Sequence, residues 1–298
     1  MSVPLPAGFR YRTVDADGVA INAAVAGEGP PVLLLHGYPQ THLIWHQVAP
    51  ALAADHTVVL TDLRGYGDSA KPAPDPGNEH YAKRAMARDQ LLVMRALGFE
   101  RFAVVGHDRG GRVGHRLALD APEEVTGLAV LDIVPTRYAF GHPDIEFGLS
   151  YYHWFFLAAG NGVPERMIGA DPEFWLRAHM ATQPRGGGFQ DEAAVREYVR
   201  CFADPAAVAA SCADYRSAAT VDLEHDARDA EAGHRVACPL LALWGGSSFV
   251  GQHYDVLVAW REYALEVRGR ALSAGHYVPE EAPEQTTAEL RTFLAELP

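Results

Sequence analysis

Short apolar runs, each closed by Gly, Pro or Asp, alternate along this chain with helix-length amphipathic stretches. That alternation restricts the fold to a mostly parallel central sheet flanked by helices on both faces, an α/β class. The expected strands include Val32–Leu35, His56–Leu60, Phe102–Val105, Leu128–Leu131, Pro239–Leu243 and Leu265–Arg268. Helices are expected over Tyr81–Leu97, Arg109–Asp120, Tyr254–Tyr263 and Pro283–Glu296. Between Arg137 and about Arg235 the strand pattern disappears, and the segment turns aromatic and polar, punctuated by Asp171-Pro172, Gly186-Gly187-Gly188 and Asp204-Pro205. It reads as a helical cap, 137–235, inserted into a core formed by 1–136 and 236–298. An insertion at the ends of parallel strands is where a substrate pocket would be roofed.

The chain has 298 residues, more than the common domain size of about 100–200, but α/β folds reach this length as one core with an insertion. A formal charge of −13 with no basic stripe argues against nucleic acid, whose phosphates need clustered Lys and Arg. No stretch approaches the roughly 18 uninterrupted apolar residues of a membrane span, and the start, Met1-Ser2-Val3-Pro4, shows no basic region followed by an apolar one. Three cysteines, Cys201, Cys212 and Cys238, lack metal-ligand or redox spacing and read as buried structural thiols. A soluble, cytoplasmic protein is the expectation.

The chemistry centres on Phe102-Ala103-Val104-Val105 running into Gly106-His107-Asp108-Arg109-Gly110 and then an amphipathic helix. Gly-x-nucleophile-x-Gly between strand and helix puts the central side chain on a strained turn at the carboxyl end of the sheet. Asp108 stands where esterases carry serine. Its plain alternative is a cap for the following helix, a common role for Asp.

Four segments, His36-Gly37-Tyr38-Pro39-Gln40, Asp62-Leu63-Arg64-Gly65-Tyr66-Gly67-Asp68-Ser69, Gly106-His107-Asp108-Arg109-Gly110-Gly111-Arg112 and Ala274-Gly275-His276, resemble successive signatures of the α/β-hydrolase superfamily. The resemblance covers nearly the whole chain and implies an α/β-hydrolase fold. Asp108-Arg109 with Arg112 resembles the haloacetate dehalogenases, the fluoroacetate dehalogenases in particular. A carboxylate suits that chemistry: displacing halide from saturated carbon leaves an ester, which water can cleave, whereas serine would leave an ether.

His276, in Ser273-Ala274-Gly275-His276, follows the nucleophile and acid in the chain order of this fold and would take a proton from the attacking water. Many relatives carry the acid after the strand that here reads Leu240-Leu241-Ala242-Leu243-Trp244-Gly245-Gly246, but Ser247-Ser248-Phe249-Val250 supplies no carboxylate. Asp132, ending Ala129-Val130-Leu131, matches the acid of the fluoroacetate dehalogenases and would orient His276, although an aspartate there can also simply start a turn.

Arg109 and Arg112 share a helix face by their three-residue spacing. They read as a clamp for a substrate carboxylate, against the plainer alternative of solvent exposure or pairing with an acid such as Glu123. Arg116 continues that face as a structural residue. The oxyanion hole should use the backbone N–H groups of Tyr38 and Arg109. In the cap, Tyr151-Tyr152-His153-Trp154-Phe155-Phe156 and Asp214-Tyr215-Arg216 would by themselves read as aromatic packing. The resemblance assigns His153, Trp154 and Tyr215 to the departing halide.

The resemblance implies hydrolysis of a small anionic 2-haloacid by water, with no metal or organic cofactor, in a homodimer. Two other functions remain open. An epoxide hydrolase would use the same acid and histidine with Tyr152 and Tyr215 protonating the epoxide oxygen, although Arg109 stands where such enzymes usually carry tryptophan. A non-catalytic small-ligand receptor is the third reading.

Overall fold

The computed structural model describes residues 8–182 and 191–298. Eight strands, β1 (Arg10–Ala16), β2 (Val19–Ala26), β3 (Pro31–Leu35), β4 (Thr57–Thr61), β5 (Phe102–His107), β6 (Val125–Leu131), β7 (Leu240–Gly245) and β8 (Val267–Leu272), form one sheet. Their order is β1-β2-β4-β3-β5-β6-β7-β8. Pairing is parallel from β4 through β8 and antiparallel at β1–β2 and β2–β4.

The alternating side chains explain why this sheet is covered twice. Leu33, Leu35, Val59, Val104 and Val130 pack into one apolar cluster. Their strand neighbours Val32, Leu34, Val58, Val105 and Leu131 pack into another. Helices α1 (Ala49–Leu52), α2 (Lys83–Ala96) and α3 (Arg109–Asp120) connect the first strands.

Between β6 and β7 the described chain is helical: α4 (Thr136–Gly141), α5 (Ile145–Ser150), α6 (Tyr152–Ala158), α7 (Val163–Ala170), α8 (Pro172–Thr182), α9 (Glu192–Phe202), α10 (Pro205–Ala218) and α11 (Val221–Ala232). Asp144, Asp191 and Asp204 cap α5, α9 and α10 through side-chain acceptors. The expected break at Gly186-Gly187-Gly188 lies outside the described residues. The chain closes with α12 (Phe249–His253), α13 (Val256–Arg261), α14 (Val278–Glu281) and α15 (Pro283–Ala295). Among the described residues no helix is long and apolar enough to cross a membrane.

Three elements depart from the sequence reading. The helix expected over Tyr254–Tyr263 is the shorter α13, which starts at Val256 because Asp255 accepts from the Val258 N–H at 3.0 Å, and α12 precedes it as an additional helix outside the expected range. The last strand runs to Leu272 as an edge strand whose Arg268 and Arg270 face solvent. The β1–β2 hairpin, which the apolar-run pattern does not pick out, turns at Asp17-Gly18, both with positive φ.

Candidate active site

The first protein group sits where β5 stops. Gly106 permits the tight return into α3, since a Cβ there would lie 2.4 Å from the Gly110 carbonyl oxygen. Asp108 follows at φ 45°, ψ −115°, a strained conformation for a residue with a side chain. Its carboxylate makes no capping bond to the helix. Instead, Oδ2 accepts from the Tyr38 N–H at 3.0 Å. The turn carrying Tyr38 comes that close because of Gly37, where a Cβ would meet the Asp108 Cβ at 2.6 Å. Of the two expected backbone donors, Tyr38 N–H makes this bond and Arg109 N–H does not.

Asp132, also at positive φ (53°), ends β6. One carboxylate oxygen meets His276 Nδ1 at 2.7 Å. The other accepts from the Gly245 N–H at 3.0 Å and the Ser248 hydroxyl at 2.6 Å. The segment after β7, where no acid was found, therefore supplies a donor that orients the acid. His107 reinforces the arrangement by contacting the His276 carbonyl oxygen through Nε2 at 2.8 Å. Burial above all, with the His276 charge added, pushes the His107 imidazole down to about 3 and keeps it neutral.

Burial disfavours charge on both Asp108 and His276, yet their surroundings outweigh it. Asp108 lies below its ordinary value because His276, Arg109, His107 and Arg112 favour the carboxylate. His276 lies above 6.5 because the hydrogen bond and charge of Asp132, then the charge of Asp108, favour the imidazolium.

Asp108, His276, Tyr38, His153, Trp154 and Tyr215 line one small cavity with an empty volume of about 230 Å³, to which Tyr151 and His179 also contribute. Three clefts elsewhere are larger, at about 1250, 920 and 560 Å³, but none touches Asp108 or His276. Size thus does not locate the chemistry here. His153 Nδ1 is buried without a hydrogen-bond partner, and burial, followed by His179, His276 and Arg109, holds its ring neutral.

The arginine pair is buried rather than solvent-exposed, and neither guanidinium is part of that lining. Arg109 lies 4.2 Å from the centre of the Tyr215 ring, and Arg112 lies 4.6 Å from that of Trp154. Each guanidinium thus packs against an aromatic ring that lines the cavity. Arg112 Nη1 donates to the Val134 carbonyl at 3.0 Å and the Thr136 hydroxyl at 2.9 Å, while its Nε has no partner. Arg109 Nη1 is likewise buried and unpartnered. Arg116 instead pairs with Asp120 and Asp229. Among the described residues no metal-binding cluster of His, Cys, Asp or Glu is present.

The sequence reading missed His179 and Tyr151 as lining residues and Ser248 as a donor. Tyr151 opens the quoted aromatic run without having been given a role, but nothing local marks His179, which α8 brings in with its ring centre 4.5 Å from that of His153. Tyr152, expected beside Tyr215 in an epoxide site, is 43% exposed and does not line the cavity.

Asp108 on a strained strand-to-helix turn and His276 bonded to Asp132, all at the carboxyl ends of one sheet, form an arrangement that a hydrolase can use. The family profile described as the alpha/beta hydrolase fold matches residues 30–283, and the chain belongs to that family. It is similar to the fluoroacetate dehalogenase of Burkholderia sp, 44% identical over 290 residues covering 97% of this chain and 95% of that protein. It is also similar to the soluble epoxide hydrolase of Corynebacterium sp. (strain C12), 35% identical with 94% and 96% covered. Among solved structures, ALR0039 of Nostoc sp PCC 7120 superposes with a TM-score of 0.95 at 51% identity, over 97% of this chain and 98% of that one.

Proposed function

We propose that this hydrolase cleaves the carbon–halide bond of short 2-haloacids, fluoroacetate to glycolate among them, through a covalent ester on Asp108. The observation that carries the reading is a carboxylate at the nucleophile turn, uncommitted to helix capping and adjoining two buried guanidinium groups. The similarity to a fluoroacetate dehalogenase supports the same substrate class.

With Oδ2 held by the Tyr38 N–H, Oδ1 is the attacking atom. It forms a bond to the carbon beside the substrate carboxylate as the carbon–halogen pair leaves with the halide. His153, Trp154 and Tyr215 donate to that halide, replacing the water that a small anion loses on entering a dry cavity. Arg109 Nη1 and Arg112 Nε take the substrate carboxylate, with charge-assisted bonds of roughly 1.5–3 kcal/mol each. His276, oriented by Asp132, then removes a proton from water as its oxygen attacks Asp108 Cγ. Negative charge develops on Oδ2, already within hydrogen-bond reach of Tyr38 N–H, with Arg109 N–H as the second donor. Collapse releases the 2-hydroxyacid and restores Asp108.

In this reading 137–235 is the cap and 1–136 with 236–298 the catalytic core. The enzyme works in the cytoplasm as a homodimer, for which the exposed Ile145, Leu149, Phe155, Met167 and Phe174 offer apolar surface.

Purified protein should release fluoride or chloride from haloacetate and open simple epoxides far more slowly. Faster epoxide opening would favour the epoxide hydrolase reading, supported by the Corynebacterium relative and by two of the three tyrosines lining the cavity, Tyr151 and Tyr215. Binding of both compounds without turnover would favour the receptor.

The pH profile carries a separate expectation. His276 acts as a base only when neutral, and its surroundings favour the proton, so kcat should fall as pH drops through a value above 6.5. An acid limb lying below 6.5 would exclude His276 as the titrating base.

A further inference from the structure

Beside the Tyr215 ring, Arg109 joins a buried charge cluster whose other members the proposed reaction does not use directly. Asp214, on α10 and fully buried, accepts from Arg109 Nε at 3.0 Å and from Nη2 at 2.6 Å, while its own carbonyl oxygen accepts from Nη2 at 3.0 Å. The Tyr66 hydroxyl donates to Asp214 Oδ2 at 2.7 Å, and Lys83 Nζ bonds Oδ1. Lys83 Nζ also lies 3.7 Å from Asp222, which accepts from the Lys83 N–H at 2.8 Å. Two cations, Arg109 and Lys83, thus face two carboxylates, and the cluster is neutral by itself.

The donor count gives this arrangement a purpose. A guanidinium has five N–H donors in a fixed plane. Asp214 takes the Nε donor and both Nη2 donors, so the two that remain are both on Nη1, the atom left buried without a partner. A side chain held on three donors cannot rotate to satisfy the other two elsewhere. From this geometry we propose that Asp214 is a positioning residue for anion recognition, fixing Arg109 so that its unpaired Nη1 is kept for the substrate carboxylate.

The inference rests on the arginine-clamp part of the proposed function but does not require turnover. Because Asp214 comes from α10 and Arg109 from α3, the clamp is assembled only when the segment between β6 and β7 is packed on the sheet. Burial opposes charge on Asp214, but Arg109 and Lys83 hold it well below the ordinary carboxylate range, so it remains ionised at any working pH. Its contribution is therefore a fixed geometry rather than a switch.

The test compares glycolate with its neutral analogue glycolamide by calorimetric titration. The wild-type protein should bind glycolate more tightly, and Asp214→Asn should weaken glycolate at least tenfold while leaving glycolamide nearly unchanged. A loss of packing alone would weaken both equally. If Asp214→Asn does not fold, Lys83→Met combined with Asp214→Asn, which removes one charge of each sign, serves for the same comparison. Equal loss on both ligands, no loss, or no wild-type preference for glycolate would overturn the proposal. Halide release by the wild-type protein is followed in parallel. Its absence alongside an intact glycolate preference would sink the dehalogenase reading and leave the role of Asp214 standing.

Discussion

Asp108→Asn is expected to remove halide release by a factor of about 10⁴ or more, in line with the loss of a group that acts as part of a catalytic unit. Asparagine keeps the shape of aspartate and still offers the Tyr38 N–H an acceptor oxygen. It is also among the few residues that tolerate positive φ, which this position imposes at 45°. What it lacks is the negative charge, and a neutral amide oxygen does not displace halide from saturated carbon at a useful rate. The variant should therefore melt near the wild type while a halide electrode reads almost nothing. A folded Asp108→Asn protein that kept most of its halide release would show that the nucleophile is elsewhere.

The parts of this site that can be read from sequence are those set by local backbone. Asp108 stands out because the glycines around it are needed within a few residues of the turn. His276 follows a strand in the expected order. Asp132 was reached by elimination and by resemblance, and the structure places its carboxylate 2.7 Å from His276 Nδ1. The parallel core was legible for the same reason, since continuous apolar runs such as those of β3 and β5 are buried on both faces. The β1–β2 hairpin was not, because β1 is largely exposed and presents no apolar alternation.

What stayed hidden depends on residues distant in the chain. Asp214 is defined by Tyr66, Lys83, Arg109 and Asp222, drawn from the loop after β4, from α2, α3 and α11. No spacing rule connects those positions. His179 is similar: its helix follows an ordinary pattern, and only the packing of α8 beside α6 turns its ring toward His153. The sequence could name the arginine pair, but not that each guanidinium would pack on an aromatic ring lining the cavity.

The order of the two chemical steps can be resolved with His276→Asn, which should stop the enzyme halfway. Attack on the carbon needs an ionised Asp108 but no base. Without His276 the charges of Arg109 and Arg112 still favour the carboxylate against its burial, so the first step should proceed. Water attack on the ester does need the base, and losing it should slow that step by roughly 10²–10⁴-fold. One equivalent of halide per protein should therefore appear in a burst, and the intact mass should rise by one carboxymethyl group, located on the peptide containing Asp108. Continued halide release without an adduct would mean that another group activates water. A folded variant giving neither burst nor adduct with any haloacetate would rule out the ester route, and with it the reason for a carboxylate at the nucleophile turn.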